Sequence, residues 1–174
     1  MLIAPTQHLF IMTTTIQQNL FVSTGLHSWE QGIKRASTLF DSYTDEELGK
    51  AIAPGKNRII YLLGHLTAVH DRMFPLLDLG ARLYPQLDAL FITNPDNTAA
   101  EFPAAGDLRQ YWNTVNRQLT GFLKEWTPEE WLQKHTAVSD EDFAKEPHRN
   151  RFSVLINRTG HLQYHLGQLA LYKK

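Results

Sequence analysis

The chain has 174 residues, of which 43% are hydrophobic and 20% charged, a mixture that suits one globular domain with a sizeable core. Its 17 basic and 18 acidic residues give a net charge of -1, which excludes the electrostatic footprint of a protein that binds nucleic acid or an anionic membrane. Cysteine is absent, which excludes disulfides, thiolate metal sites and a cysteine nucleophile. We therefore expect a small-molecule substrate, and nitrogen or oxygen ligands for any metal.

The first residues do not have the form of a secretion signal. No lysine or arginine precedes their apolar stretch, and no small-residue cleavage site follows it. We expect residues 1–15 to be a disordered leader before a domain at residues 16–174, with Met12 as an alternative start to Met1. No apolar run approaches the roughly 20 residues that cross a bilayer, so we expect a soluble, cytoplasmic protein.

The first half of the chain predicts two long amphipathic helices. Apolar residues recur three and four positions apart from Gln18 to Tyr43, and again from Asn57 to Leu77. Between these helices, Thr44 and Glu47 have the form of a capping box, in which a threonine and a glutamate three positions later satisfy each other's backbone N–H groups. A short helical turn is therefore expected at that point.

A long connection follows the second helix. Residues 78–106 contain three prolines, which forbid one long helix but leave room for a short helical piece from Pro85 to Phe91. Asp107 can cap a third helix, which runs to Trp126 and has the cleanest apolar stripe in the chain. The tryptophans are expected in the core.

The last part of the chain predicts one more long helix. Thr127 and Glu130 form a second capping box, with Pro128 at the first helical position. The polar run Ser139–Asn150 is expected to be a loop, and apolar residues at helical spacing then continue from Arg151 to Tyr172. The pattern predicts an all-α protein, a four-helix bundle with a long crossover connection between helices two and three.

The last helix carries two histidines, His161 and His165, four positions apart. Side chains at this spacing share one helix face with Cβ atoms about 5–6 Å apart, so two imidazoles can converge on one ion. A catalytic zinc typically has three protein ligands. Helix two offers His65 and His70 on opposite margins of its apolar stripe, and the periodicity alone leaves both open.

Two blocks of this sequence resemble the DinB superfamily of small helical proteins. They are Leu62-Leu63-Gly64-His65-Leu66 with Asp71-Arg72, and His161-Leu162-Gln163-Tyr164-His165-Leu166-Gly167-Gln168-Leu169. In that family one histidine of the second helix and an HxxxH pair of the last helix bind a divalent metal, nickel or zinc. The resemblance spans helix one to helix four, and it implies His65, His161 and His165 as the metal ligands.

Three polar side chains are candidates for supporting the histidines or lining a substrate pocket. Gln168 lies one turn beyond the second histidine of the pair, where its amide can hold that imidazole or remain solvated. Tyr61 and Arg72 flank His65 on the helical wheel. We assign all three to a substrate pocket.

Arg158 is a fourth candidate for the pocket, one turn before the histidine pair. Its guanidinium can hold a substrate carboxylate, or it can form an interhelical ion pair with Asp71 or Glu130. Among the remaining histidines, His135 lies in a predicted loop, where it can act as a proton shuttle.

A metal-dependent enzyme is the leading hypothesis for the function. A divalent ion held by three imidazoles lowers the pKa of a bound water or thiol and prepares a nucleophile near neutral pH. The resemblance implies thiol S-transferases that use bacillithiol, mycothiol or glutathione, or metal-dependent hydrolases. The alternative is a non-enzymatic, stress-related metal- or ligand-binding protein. The resemblance also implies a homodimer, although the chain has no sustained heptad seam.

Overall fold

Helices make up most of the part of the chain that the structure describes. The computed structural model describes the backbone of residues 5–96 and 101–172, and the side chains from residue 16 onward within those ranges. These residues form helices, two isolated β-bridges and no strand, so the predicted all-α class is confirmed. The helices are α1 (Pro5–Ser42), α2 (Asp45–Leu48), α3 (Ile59–Asp71), α4 (Met73–Leu76), α5 (Leu87–Phe91), α6 (Ala105–Glu125), α7 (Pro128–Trp131), α8 (Asp140–Lys145) and α9 (Arg151–Leu169).

The two predicted capping boxes are confirmed. In each, the threonine hydroxyl accepts from the backbone N–H of the glutamate, and the glutamate carboxylate accepts from the threonine N–H, at Thr44 with Glu47 and at Thr127 with Glu130. The short piece expected near Phe91 is α5. In all three places the signal is local, so it could be recognised from neighbouring residues alone.

The helix predicted from Asn57 to Leu77 is divided into α3 and α4. Pro75 has no N–H group to donate to the carbonyl of Asp71, four residues earlier, so the helical ladder loses a bond there. Backbone bonding resumes with the N–H of Leu76 donating to the carbonyl of Arg72. The proline therefore divides the predicted helix into two, and the connection to α6 begins after α4.

In the second half, two predicted boundaries were wrong and one short helix was missed. The third helix begins at Ala105, before Asp107. Asp107 therefore lies in the first turn of the helix, where the positive end of the helix dipole stabilises its carboxylate. The predicted loop before the last helix contains α8, capped by the Ser139 hydroxyl; that helix buries none of its residues and so shows no apolar periodicity. The last helix ends at Leu169 rather than Tyr172.

The long helices bury the stripes that the sequence predicts. α1 packs against α9 and α6, and α3 packs against α6, α5 and α9. The tryptophans lie in the core, as predicted: Trp29, Trp112 and Trp131 are fully buried, and Trp126 packs edge-on against Trp131. Phe122, which has helical spacing with the other apolar residues of α6 and was expected in its apolar stripe, is instead 44% exposed.

A buried carboxylate, that of Asp71, anchors the connection between α3 and α6. It accepts hydrogen bonds from Arg82 Nε at 3.0 Å and from the backbone N–H groups of Leu83 at 2.7 Å and Tyr84 at 3.1 Å. Asp88 binds the same arginine, with N–O distances of 2.6 and 2.7 Å. These contacts hold the start of the connection, and with it α5, against the end of α3.

The predicted leader lies partly outside the described residues. Residues 1–4 are not described, nor are the side chains of residues 5–15, whose backbone belongs to α1. The disorder of this leader and the domain boundary at residue 16 stay predictions. Within the described ranges, no helix combines the length and the apolar character that a membrane span requires.

Candidate metal centre

Packing of α3 against α9 brings three imidazoles together. His65 comes from α3, and His161 and His165 come from successive turns of α9. The Nε2 atom of His161 lies 3.3 Å from Nε2 of His65 and 3.1 Å from Nε2 of His165. All three ligand atoms lie within 4.8 Å of one another. One nitrogen of each ring therefore points at a common centre.

Hydrogen bonds on the far side of two rings determine which nitrogen carries the proton. His65 Nδ1 donates to the backbone carbonyl of Phe91 at 2.8 Å, and His165 Nδ1 donates to Oε1 of Gln168 at 2.7 Å. A neutral imidazole that donates through Nδ1 has a bare lone pair on Nε2. His65 and His165 therefore both present lone pairs to the centre, as metal-ligating histidines do when a carbonyl orients them.

This donor set fits a divalent ion. In a tetrahedral site with metal–nitrogen distances of about 2.0–2.1 Å, neighbouring nitrogens lie about 3.4 Å apart, close to the two shorter separations here. If His161 Nε2 carried a proton, it could donate to only one of the two lone pairs that face it, those of His65 and His165. A metal ion would accept the lone pairs of all three Nε2 atoms. The Nδ1 atom of His161 is buried and has no hydrogen-bond partner among the described residues. Imidazole nitrogens suit nickel and zinc alike.

The environment keeps the three rings neutral near pH 7. Burial lowers the pKa of His65 and of His165 below the ordinary value for histidine. Burial, followed by the neighbouring His165, His65 and Arg158, lowers the pKa of His161 to about 4. Metal binding requires the unprotonated imidazole, so no proton has to be removed from these rings at neutral pH.

His70, the other histidine of α3, is part of the core. Its side chain is fully buried, and its Nδ1 donates to Oδ1 of Asn116 at 2.7 Å. The ring lies between Trp29 and Trp112, with ring centroids 4.8 and 5.2 Å away. Burial lowers its pKa to about 3. The choice that periodicity left open is therefore decided by packing, which joins His65 to the pair on α9.

The predicted pocket residues take different places. Gln168 holds His165, while its own amide nitrogen donates to the Tyr164 hydroxyl at 3.0 Å. Tyr61 lies parallel to the ring of His65, at a centroid distance of 6.2 Å and an angle of 10°. Arg72 is exposed and pairs with Asp88 at 2.7 Å. Contact with a substrate stays a prediction for all three.

Arg158 forms neither of the ion pairs expected as alternatives. Asp71 binds Arg82, and Glu130 caps the N-terminus of α7. The Nε atom of Arg158 is buried without a hydrogen-bond partner among the described residues. Its positive charge is among the causes that lower the pKa of His161, after burial, His165 and His65.

The carbonyl of Phe91 was missed by sequence reasoning, because a backbone group carries no sequence signal of its own. The one available indication was Gly64, directly before His65. A Cβ atom on Gly64 would lie 2.4–2.6 Å from three carbons of the Phe91 ring, so only glycine permits this approach of α5 to α3. The close approach places the Phe91 carbonyl where His65 can donate to it.

We expect Gly64→Ala to damage both the fold and the metal site. The added methyl must displace the buried Phe91 ring, which should lower the free energy of unfolding by about 1–3 kcal/mol. Displacing the Phe91 carbonyl removes the support of one ligand and should weaken metal binding roughly 10–100-fold. Urea unfolding of the metal-free protein and zinc competition with a chelator measure the two effects.

Gly121→Ala on α6 is the matched control, because a Cβ there meets no atom within 4 Å. It should leave metal affinity unchanged and stabilise the helix by up to about 1 kcal/mol. Equal behaviour of the two alanine variants would show that α5 does not position His65.

The described fold and site define an all-α protein with a candidate three-histidine metal centre between two of its long helices. The family model of the DinB superfamily matches residues 28–169, which include all three histidines. The match covers more than half of the chain, and the chain belongs to the DinB superfamily. Among curated proteins, none matches the chain significantly.

Proposed function

We propose that this protein is a metal-dependent enzyme, in which His65, His161 and His165 hold a nickel or zinc ion that activates a low-molecular-weight thiol for transfer to a second substrate. The observation that carries the proposal is the convergence of three Nε2 atoms, two of them with their opposite nitrogens already donating. An ion bound there would lower the pKa of a thiol or water beside it and stabilise the deprotonated form.

The composition of the cluster favours an open coordination position. Within the described residues, the group that could hold an ion consists of three histidines, with no fourth histidine and no carboxylate. Three neutral ligands do not offset the charge of a divalent ion, so an anionic fourth ligand such as a thiolate is favoured. Catalytic sites keep a position of this kind, whereas structural sites are closed by a fourth protein ligand.

The same composition ranks the alternatives. Hydrolysis would benefit from a carboxylate that accepts a proton from water, and the cluster in the described residues contains none. A metal-dependent hydrolase is therefore the second candidate, and a non-enzymatic metal- or ligand-binding protein is the third. We further propose that α1, α3, α6 and α9 form a four-helix bundle with its long crossover between α3 and α6, and that the protein forms a homodimer in the cytoplasm.

Thiol ligation can be tested with the cobalt-loaded protein, since cobalt(II) absorbs strongly when a thiolate binds it. Glutathione, bacillithiol and mycothiol are added in turn, and at least one of them should produce a sulfur-to-cobalt charge-transfer band in the wild type. S-methylglutathione, which cannot form a thiolate, should produce none, and neither should the His161→Ala variant with glutathione. The reference for metal-independent changes is His27→Ala, which alters an exposed residue of α1.

Three results would separate the candidates. A charge-transfer band supports the thiol function. Cobalt loading without the band, together with turnover of a hydrolysable ester that depends on the three histidines, would replace it with the hydrolase. Cobalt loading with neither result would leave a metal-binding protein without activity and overturn the enzyme proposal.

A further inference from the structure

A cavity lies beside the first turns of α9. Its volume is about 290 Å³, and its lining includes the side chains of His135, His148, Arg149 and Arg158, with Leu76 and Val154 as apolar surface. No acidic residue lines it. The cavity is too small for a whole cofactor and is the size of a small polar group with a few carbon atoms.

Two arginines line this cavity, and Arg158 is the one that has no counter-ion among the described residues. Arg149 is bound to the carboxylate of Glu146. Arg158 is half-buried, and its Nε has no hydrogen-bond partner among the described residues. Burial, followed by the positive charge of Arg72, lowers its pKa. A partly desolvated guanidinium without a partner is costly, and a bound anion would remove that cost.

The remaining polar groups of the cavity are also suited to an anion. The Nδ1 atom of His135 is buried and has no partner among the described residues, and as an N–H group it could donate to an oxygen. The cavity adjoins the N-terminal turns of α9, whose partial positive charge attracts anions. Arg158 on α9 and His135 before α8 therefore line one cavity from different elements, and each has a nitrogen without a partner among the described residues.

The cavity and the two histidines of α9 lie along one strip of that helix. Val154, Arg158, His161 and His165 fall within about 60° of one another around the helix axis. Along that axis, Arg158 precedes His161 by about 4.5 Å and His165 by about 10.5 Å, at 1.5 Å per residue. The separation between Arg158 and the histidine pair is therefore within the length of a molecule of a few carbon atoms.

We propose that this cavity binds the oxyanion group, carboxylate or phosphate, of a substrate whose other end reaches the three-histidine centre. Arg158 forms the ion pair and His135 donates a further hydrogen bond. The inference rests on the proposed function for the position of the reacting end, but the anion site itself can be tested in the metal-free protein. It limits the second substrate to small organic anions.

The test follows the Arg158 Nε–H and His135 ring resonances of ¹⁵N-labelled, metal-free protein by NMR. Propionate and inorganic phosphate are the anionic probes, and propionamide is the neutral control for propionate. The anions should shift both resonances in a saturable way, and propionamide should not. Arg158→Gln should weaken anion binding about tenfold or more, since a hydrogen bond to a charged group contributes about 1.5–3 kcal/mol.

The matched control is Arg117→Gln, which removes an exposed arginine of α6 outside this cavity and should leave anion affinity unchanged. Whichever probe binds more tightly identifies the anionic group as a carboxylate or a phosphate. The proposal is overturned if the two resonances do not move, if propionamide moves them equally, or if Arg158→Gln binds the anions as well as the wild type does.

Dicarboxylates test the connection to the metal centre. In zinc-loaded protein, the best of a series from succinate to adipate should bind at least about tenfold more tightly than propionate, because both of its ends are held. The gain should disappear in Arg158→Gln and in His161→Ala. A series without any gain would overturn the shared site.

Zinc content measured on the same samples separates the two proposals. Wild-type protein that holds zinc but shows no anion binding overturns this inference alone. Anion binding at Arg158 in a protein that takes up no zinc overturns the metal function and leaves the anion site standing.

Discussion

Protein purified without a histidine tag should carry about one divalent ion per chain, and the double variant His161→Ala, His165→Ala should carry none. His65→Ala should lose the ion as well, because two imidazoles would remain of a centre built from three. Each single loss should weaken metal affinity by more than about 100-fold, since loss of a supporting hydrogen bond alone costs 10–100-fold. Elemental analysis gives the stoichiometry, and chelator competition gives the affinities.

Two further histidine variants make this result specific. His27→Ala changes an exposed residue of α1 and should retain the full metal content. His148 lines the cavity beside the first turns of α9, and His148→Ala should also retain the full metal content. A wild-type protein that remains metal-free after exposure to zinc and to nickel would remove the metal centre, and with it the proposed enzyme.

Asp71→Ala should destabilise the fold strongly. The carboxylate is fully buried and accepts from Arg82 and from two backbone N–H groups. Removing one partner of a buried ion pair costs about 3–5 kcal/mol, because the groups left behind are desolvated and unpaired. Urea unfolding of the metal-free protein should show a loss of this size. Asp71→Asn should recover little of the lost stability, since its amide NH₂ is itself a donor and would face the N–H groups that the carboxylate accepts from.

Asp140→Ala is the control for removing a paired aspartate. Asp140 binds Lys134 at 2.9 Å, but its side chain is 93% exposed, and an exposed ion pair contributes about 1 kcal/mol or less. Comparable losses in Asp71→Ala and Asp140→Ala would contradict the anchoring role of Asp71.

The anchor at Asp71 also connects stability to the metal centre. Arg82 bridges Asp71 to Asp88, which lies on α5, the helix that supplies the carbonyl bound by His65. Releasing the connection should therefore weaken zinc binding in Asp71→Ala, even under conditions where the variant is still folded. Unchanged zinc affinity in the folded variant would show that α5 is held by its apolar contacts alone.

The sequence by itself determined the long helices of this protein and two of the three histidines of its candidate site. Helical periodicity, two capping boxes and the proline positions depend on residues within a few positions of each other, so the long helices and the short turns α2 and α7 could be predicted. The pair His161 and His165 could be predicted for the same reason, because side chains four positions apart lie on one face of a helix. α8 was not predicted, because it buries no side chain and has no apolar periodicity.

Only the tertiary structure decided which groups from distant segments meet. Periodicity placed His65 and His70 on two margins of one stripe, and the resemblance to the family implied His65. The packing of α3 on α9 and α6 then turned His65 toward the pair and enclosed His70 between two tryptophans. The contact of the Phe91 carbonyl with His65, the pairing of Asp71 with Arg82 and the lack of a partner for Arg158 among the described residues likewise depend on interhelical distances. Local sequence rules specify the orientation of a side chain about its own helix, but not which neighbour the packed chain brings to it.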